Sequence, residues 1–137
     1  MSIETASPVV LVVEDDPFHG IWTTMTLERA GYEVAGPAED ERSALELIDE
    51  DLPDVAILDI DLSGAAARER SGRGRTSARV AAALSSWRVP FVIVSSHAKV
   101  AVLSGPEGEA ARLTKPVRGE TLLDAVRDAL TNRIAAR

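Results

Sequence analysis

The chain has 137 residues, 45% of them hydrophobic and 27% charged, which suits one soluble domain with one core, so no second domain is expected. It holds no cysteine, excluding disulfides and thiolate metal sites; no apolar run approaches the ~20 residues that cross a bilayer, and neither a signal peptide nor a location outside the cytoplasm is expected. A net charge of −7 argues against general affinity for nucleic acid.

Five short apolar runs alternate with helical patterns. Val9–Val13 is an unbroken aliphatic run, as a strand covered on both faces reads. It ends in Glu14-Asp15-Asp16-Pro17, with Asp16 placed to cap a helix and Pro17 to start it. Phe18, Ile21, Trp22, Met25 and Arg29 repeat at helical spacing, so this stripe is expected to face the core, with His19 turned to solvent and Gly31 as the stop. Tyr32–Gly36 reads as a weaker second strand, and Asp40–Asp51 as a helix with Ala44, Leu45 and Ile48 inward.

Pro53 closes that helix, and Val55–Leu58 forms a third strand ending on Asp59. An insertion at about 64–77 follows without a packable period. Residues 65–79 hold five arginines and one glutamate, a local +4 on a body that otherwise carries −11. Gly72-Arg73-Gly74-Arg75 lacks the third glycine and the preceding strand of a dinucleotide motif and is given no nucleotide role. Val80, Ala83, Leu84 and Trp87 mark the next helix, with Trp87, like Trp22, expected in the core. Phe91–Val94 is the fourth strand, ending in Ser95-Ser96-His97. The helix after it, Ala98–Leu103, is short or irregular because Gly105-Pro106 breaks it. Ala111–Thr114 forms a fifth strand before Lys115-Pro116, and Leu122, Leu123, Val126, Leu130 and Ile134 define a final helix.

Strand and helix repeated five times predict a doubly wound α/β domain with a five-stranded parallel sheet. In such a sheet ligands bind beyond the carboxyl ends of the strands. With strand order 2-1-3-4-5, Glu14, Asp15, Asp59, Ser95 and Lys115 converge on one edge. Crowded carboxylates repel unless a cation neutralises them, and Mg²⁺ or Mn²⁺ is the natural oxygen-loving partner. A central carboxylate with a divalent ion, a hydroxyl and a lysine suits phosphoryl transfer, with Asp59 as nucleophile and Lys115 and Ser95 taking up charge.

The stretches VVLVVEDDP (9–17), PDVAILDIDLSG (53–64), PFVIVSS (90–96) and TKPV (114–117) resemble a response-regulator receiver domain, and the resemblance covers nearly the whole chain. It implies the flavodoxin-like (βα)5 fold over 1–137, with a core at about 8–131. It also implies a stand-alone regulator in which Asp59 accepts a phosphoryl group from a histidine kinase or phosphotransfer protein. Asp15, Asp59 and the backbone carbonyl of Asp61 would hold the metal, Glu14 acting through water. Ser95 would be the switch hydroxyl and Lys115 the phosphate-binding lysine, before a proline that is cis in the family. The sequence departs from the pattern at Arg112, where the family carries an aromatic residue, and at Ser96 and His97 after the switch hydroxyl. His97 reads more simply as a surface residue than as a ligand. Output is expected through protein–protein contacts, with no nucleic acid or membrane involved.

Two rival readings remain open at this point. Asp59-Ile60-Asp61 also resembles the opening of haloacid-dehalogenase-like phosphatases, but those place a further acidic pair on a strand after the lysine. A degenerate receiver serving only as a binding module is the other, and the intact Asp15, Asp59 and Lys115 speak against it.

Overall fold

A computed structural model describes residues 7–60, 76–95 and 109–135. Asp61, Ser96, His97, most of the arginine-rich insertion and the expected short helix 98–103 lie outside those residues. The described elements run β1 (Val9–Val13), α1 (Pro17–Arg29), β2 (Glu33–Ala38), α2 (Glu41–Glu50), β3 (Val55–Ile60), α3 (Thr76–Ser86), β4 (Phe91–Ser95), β5 (Glu109–Thr114) and α4 (Gly119–Ala135). All pairings are parallel, and the strand order is β2-β1-β3-β4-β5. The expected fold class and strand order are therefore observed.

Two apolar layers sandwich the sheet because side chains alternate across it. Leu11, Val13, Ala56, Leu58, Phe91 and Ile93 pack with α2 and α3 on one face. Val10, Val12, Ile57, Val92 and Val94 pack with α1 and α4 on the other. The same alternation sends Glu14, two residues after Val12, and Asp59, two after Ile57, toward the α1/α4 face.

Helix α1 corrects the sequence reading. Its buried residues are Gly20, Thr23 and Leu27, while Phe18 (83%), Ile21 (55%), Met25 (47%) and Trp22 (38%) are exposed. The periodicity detected a real stripe, but it is the outer one. Small residues on the opposite side let the helix lie close: a Cβ on Gly20 would stand 3.1 Å from Pro37 Cγ, so nothing larger seats there without displacing the proline ring. Trp87 is corrected likewise, being 63% exposed past the end of α3.

The second strand runs beyond its expected end at Gly36, through Gly36-Pro37 to Ala38. Gly-Pro reads as a turn, yet here the register shifts between Leu11 and Val13 and pairing resumes as Val13 with Ala38. A proline is tolerated because β2 is an edge strand. Gly36 is required: its φ is +101, and a Cβ would meet the Val12 carbonyl oxygen at 2.7 Å. The bulge lets the Glu14 amide donate to the Ala38 carbonyl at 2.9 Å, which ties the first acidic residue to the sheet edge.

Candidate functional site

Asp59 stands on β3, the central strand, in register with Val94 of β4 and one residue beyond the Val13–Leu58 pair. Its side chain is only 4% exposed. Lys115, following β5, brings Nζ to 2.9 Å from Asp59 Oδ1. The contact is an ion pair without a directed hydrogen bond, since Oδ1 is buried and has no donor at hydrogen-bonding geometry. The lysine is held by its backbone, whose N–H donates to the Ser95 carbonyl at 2.7 Å. The peptide between Lys115 and Pro116 is cis. Ser95 ends β4, buried to 1% exposure, between Ile60 of β3 and Thr114 of β5. Arg112 is half-buried on β5, three residues before Lys115 and opposite Ile93.

Glu14 is 4% exposed, and both its oxygens are engaged. Oε2 accepts the Asp16 amide at 3.0 Å, and Oε1 lies 2.6 Å from Nδ1 of His19. The same Nδ1 is 3.0 Å from Asp59 Oδ2. His19, expected at the solvent, thus sits between the two buried carboxylates. Asp16 explains why: its carboxylate caps α1 by accepting the amides of Phe18 (3.0 Å) and His19 (3.4 Å). That cap holds the first helical turn against the end of β1, as an N-cap does for two of the orphan donors there. Trp22, one turn on, stacks on the imidazole with centroids 5.6 Å apart. The signal in the sequence was the cap itself, since Asp16-Pro17 places residue 19 in a helix turn starting at the acidic strand end.

Burial pushes the Glu14 carboxyl up to about 9, and its hydrogen bond and charge repulsion with Asp59 add to the rise; the Asp16 amide and Lys115 draw it back down. The rise reflects the cost of a second negative charge beside a single ammonium, so the Glu14 carboxyl holds its proton at neutral pH. The carboxylate-rich donor set fits a small divalent cation, which would let both carboxyls ionise. Asp15 is exposed and is not one of the three clustered ligand-bearing residues, which are Glu14, His19 and Asp59. A cavity of about 10 Å³ adjoins them, lined also by Val12, Trp22, Ile57, Val94 and Leu122.

Comparison with known proteins agrees with this architecture. Residues 10–127 match the family model described as response regulator receiver domain. Over 129 residues the chain is 32% identical to a probable transcriptional regulatory protein NarL of Mycobacterium tuberculosis, covering 90% of this chain and 55% of that protein. The chain thus spans about half the length of the curated relatives it matches. Among solved structures, it is similar to the signal receiver domain of a modulated diguanylate cyclase from Desulfovibrio desulfuricans G20. That match has a TM-score of 0.77 and 25% identity over 96% of this chain and 99% of the other. A CheY-like receiver domain protein from Methanospirillum hungatei JF-1 shares the fold at a TM-score of 0.77 and 23% identity, over 96% and 99% of the two chains. Receiver domains are signalling modules of two-component systems that interact with histidine kinases or phosphotransfer proteins. With the parallel sheet in order 2-1-3-4-5, the acidic edge and the lysine on one side of it, and a family match across most of its length, this chain belongs to the response regulator receiver domain family.

Proposed function

We propose that the chain accepts a phosphoryl group on Asp59 from a phosphohistidine of a histidine kinase or phosphotransfer protein. The observation that carries this reading is the buried Asp59 carboxylate at the end of the central strand, with the Lys115 ammonium 2.9 Å away. An Asp59 carboxylate oxygen forms the new O–P bond as the N–P bond of the donor imidazole breaks, and that imidazole picks up a proton from solvent. Lys115 holds charge on the phosphoryl oxygens, and Ser95 supplies a hydroxyl from the neighbouring strand. By the family pattern Asp15, Asp59 and the Asp61 carbonyl would hold a Mg²⁺ or Mn²⁺ ion, with Glu14 acting through water. When bound, that ion neutralises the carboxylates and shields the incoming phosphate from them.

The exposed face of α1 supports the partner side of the proposal. Phe18, Ile21, Trp22 and Met25 are exposed on the helix that carries His19 into the site. Large apolar side chains contiguous on a surface mark a protein contact, and here a docked helix would present its histidine toward Asp59. Output follows through protein contacts of the receiver itself, whatever segments accompany it. A phosphatase of the haloacid-dehalogenase type is disfavoured by the acids after Lys115. Asp124 and Asp128 lie on α4 and contact Arg127 at its surface rather than the sheet edge.

Intact-mass measurement after incubation with acetyl phosphate tests the assignment. One phosphoryl adduct is expected with Mg²⁺, little without it, and none in Asp59→Asn. Full labelling of Asp59→Asn, or steady turnover of a generic phosphomonoester, would overturn it.

A further inference from the structure

A single nitrogen faces both buried carboxylates of the site. His19 Nδ1 lies 2.6 Å from Glu14 Oε1 and 3.0 Å from Asp59 Oδ2, and the ligand atoms of the three residues fall within 4.8 Å of one another. Three contacts hold the imidazole there: the Asp16 cap on its amide, the Glu14 carboxylate, and the Trp22 ring stacked on its face. The histidine side chain is 29% exposed, against 3% for Glu14 and 4% for Asp59. It therefore stands between the buried pair and solvent, where an entering ion would pass. One further observation points to a ligand. The adjoining cavity of about 10 Å³ matches one water or one small ion.

We propose that Glu14, His19 and Asp59 form a one-nitrogen, two-carboxylate site for a borderline transition-metal ion such as Co²⁺ or Zn²⁺, with His19 Nδ1 as a direct ligand. The proposal rests on the reading that a divalent ion sits beside Asp59, and it changes the donor set. The family pattern uses oxygen alone, which suits Mg²⁺. A neutral imidazole suits Zn²⁺, Co²⁺ and Ni²⁺, and Mn²⁺ accepts either kind of ligand. Ligand atoms must be deprotonated, so binding of the ion releases protons from the cluster to solvent. Glu14 then becomes a direct ligand, and Trp22 orients the imidazole from behind. The consequence is selectivity: His19 strengthens the hold on borderline ions and does nothing for Mg²⁺.

The whole chain loaded with Co²⁺ is examined by pulsed electron paramagnetic resonance, and Co²⁺ and Mg²⁺ affinities are measured by calorimetry for the native chain and for His19→Ala. A directly bonded ¹⁴N coupling is expected in the native chain and not in the variant. Co²⁺ affinity should fall by about tenfold or more in His19→Ala, the scale on which loss of a metal-site partner is felt, while Mg²⁺ affinity stays within about threefold. Absence of nitrogen coupling in the native chain overturns the proposal, even if the variant fails to fold. Equal weakening of Co²⁺ and Mg²⁺ overturns it too, because His19 would then only orient the carboxylates. Phosphoryl uptake plays no part in these readouts. Failure of the phosphoryl-acceptor reading would show in the intact-mass experiment alone.

Discussion

Helices α1 and α4 pack on the same face of the sheet, yet they use their apolar residues in opposite ways. Helix α4 buries Leu122, Ala125, Val126 and Ala129, with Leu123 and Leu130 packed at the margin, as its periodicity predicts. Helix α1 buries Gly20, Thr23 and Leu27 and turns its larger apolar residues outward. The α4 pattern reports the core of this chain, whereas the α1 pattern reports the outer face of its helix. The difference is legible in side-chain size. Close seating of α1 on Pro37 and beside Glu14 demands a small residue at Gly20, and the wide stripe is left outside.

The largest expected effect comes from truncating the two helices at matched positions. Leu122→Ala should cost about 2–5 kcal/mol of unfolding free energy, the usual range for a buried leucine. Ile21→Ala on the outer stripe of α1 should stay within about 0.5 kcal/mol. Urea unfolding reads both, and a comparable cost at Ile21 would break the comparison.

A smaller effect should appear in partner-dependent phosphotransfer. Phe18→Ala combined with Ile21→Ala should slow phosphoryl uptake from a cognate phosphohistidine protein by about tenfold, worth ~1.4 kcal/mol of contact energy. Labelling by acetyl phosphate needs no docked helix and should be unchanged. Arg127→Ala on the outer side of α4 serves as the control, and an equal loss there would remove the special status of α1.

A pH-dependent effect concerns the acidic residue that α1 is built against. Glu14 is pushed up to about 9 in the folded chain from an ordinary 4.5, so the folded state holds a proton that the unfolded state has released. Its contribution to stability is therefore full below about pH 4.5 and is lost as pH rises toward about 9. Without divalent metal, the melting temperature of the native chain should decline across that window. Glu14→Gln, which keeps the neutral form at every pH, should flatten the decline. An unchanged slope in the variant would place the titrating group elsewhere.

Much of this molecule is written in local pattern. The aliphatic runs of β1, β3 and β4 are so continuous that only a sheet covered on both faces accommodates them, and their ends alone predict where Asp59, Glu14, Ser95 and Lys115 gather. Asp16-Pro17 and Asp40 announce helix starts by capping chemistry that acts over three residues, and both caps are present. A parallel sheet converts such one-dimensional punctuation into a shared edge, which is why the strand ends alone bring acidic and basic groups together.

What the sequence left open depends on contacts between segments distant in the chain. Periodicity locates an apolar stripe on α1 but not which side faces the sheet; that was decided by the approach of Gly20 to Pro37, across a bulge that Gly36 alone permits. The same approach carried His19 from an apparent surface position to within 3.0 Å of Asp59. Spacing along the helix cannot express a distance to a strand forty residues later. Residue type and order determined the fold and the chemistry at the sheet edge. Only tertiary packing, through steric room for one helix face, decided that an imidazole stands among the carboxylates and that a hydrophobic stripe remains on the outside.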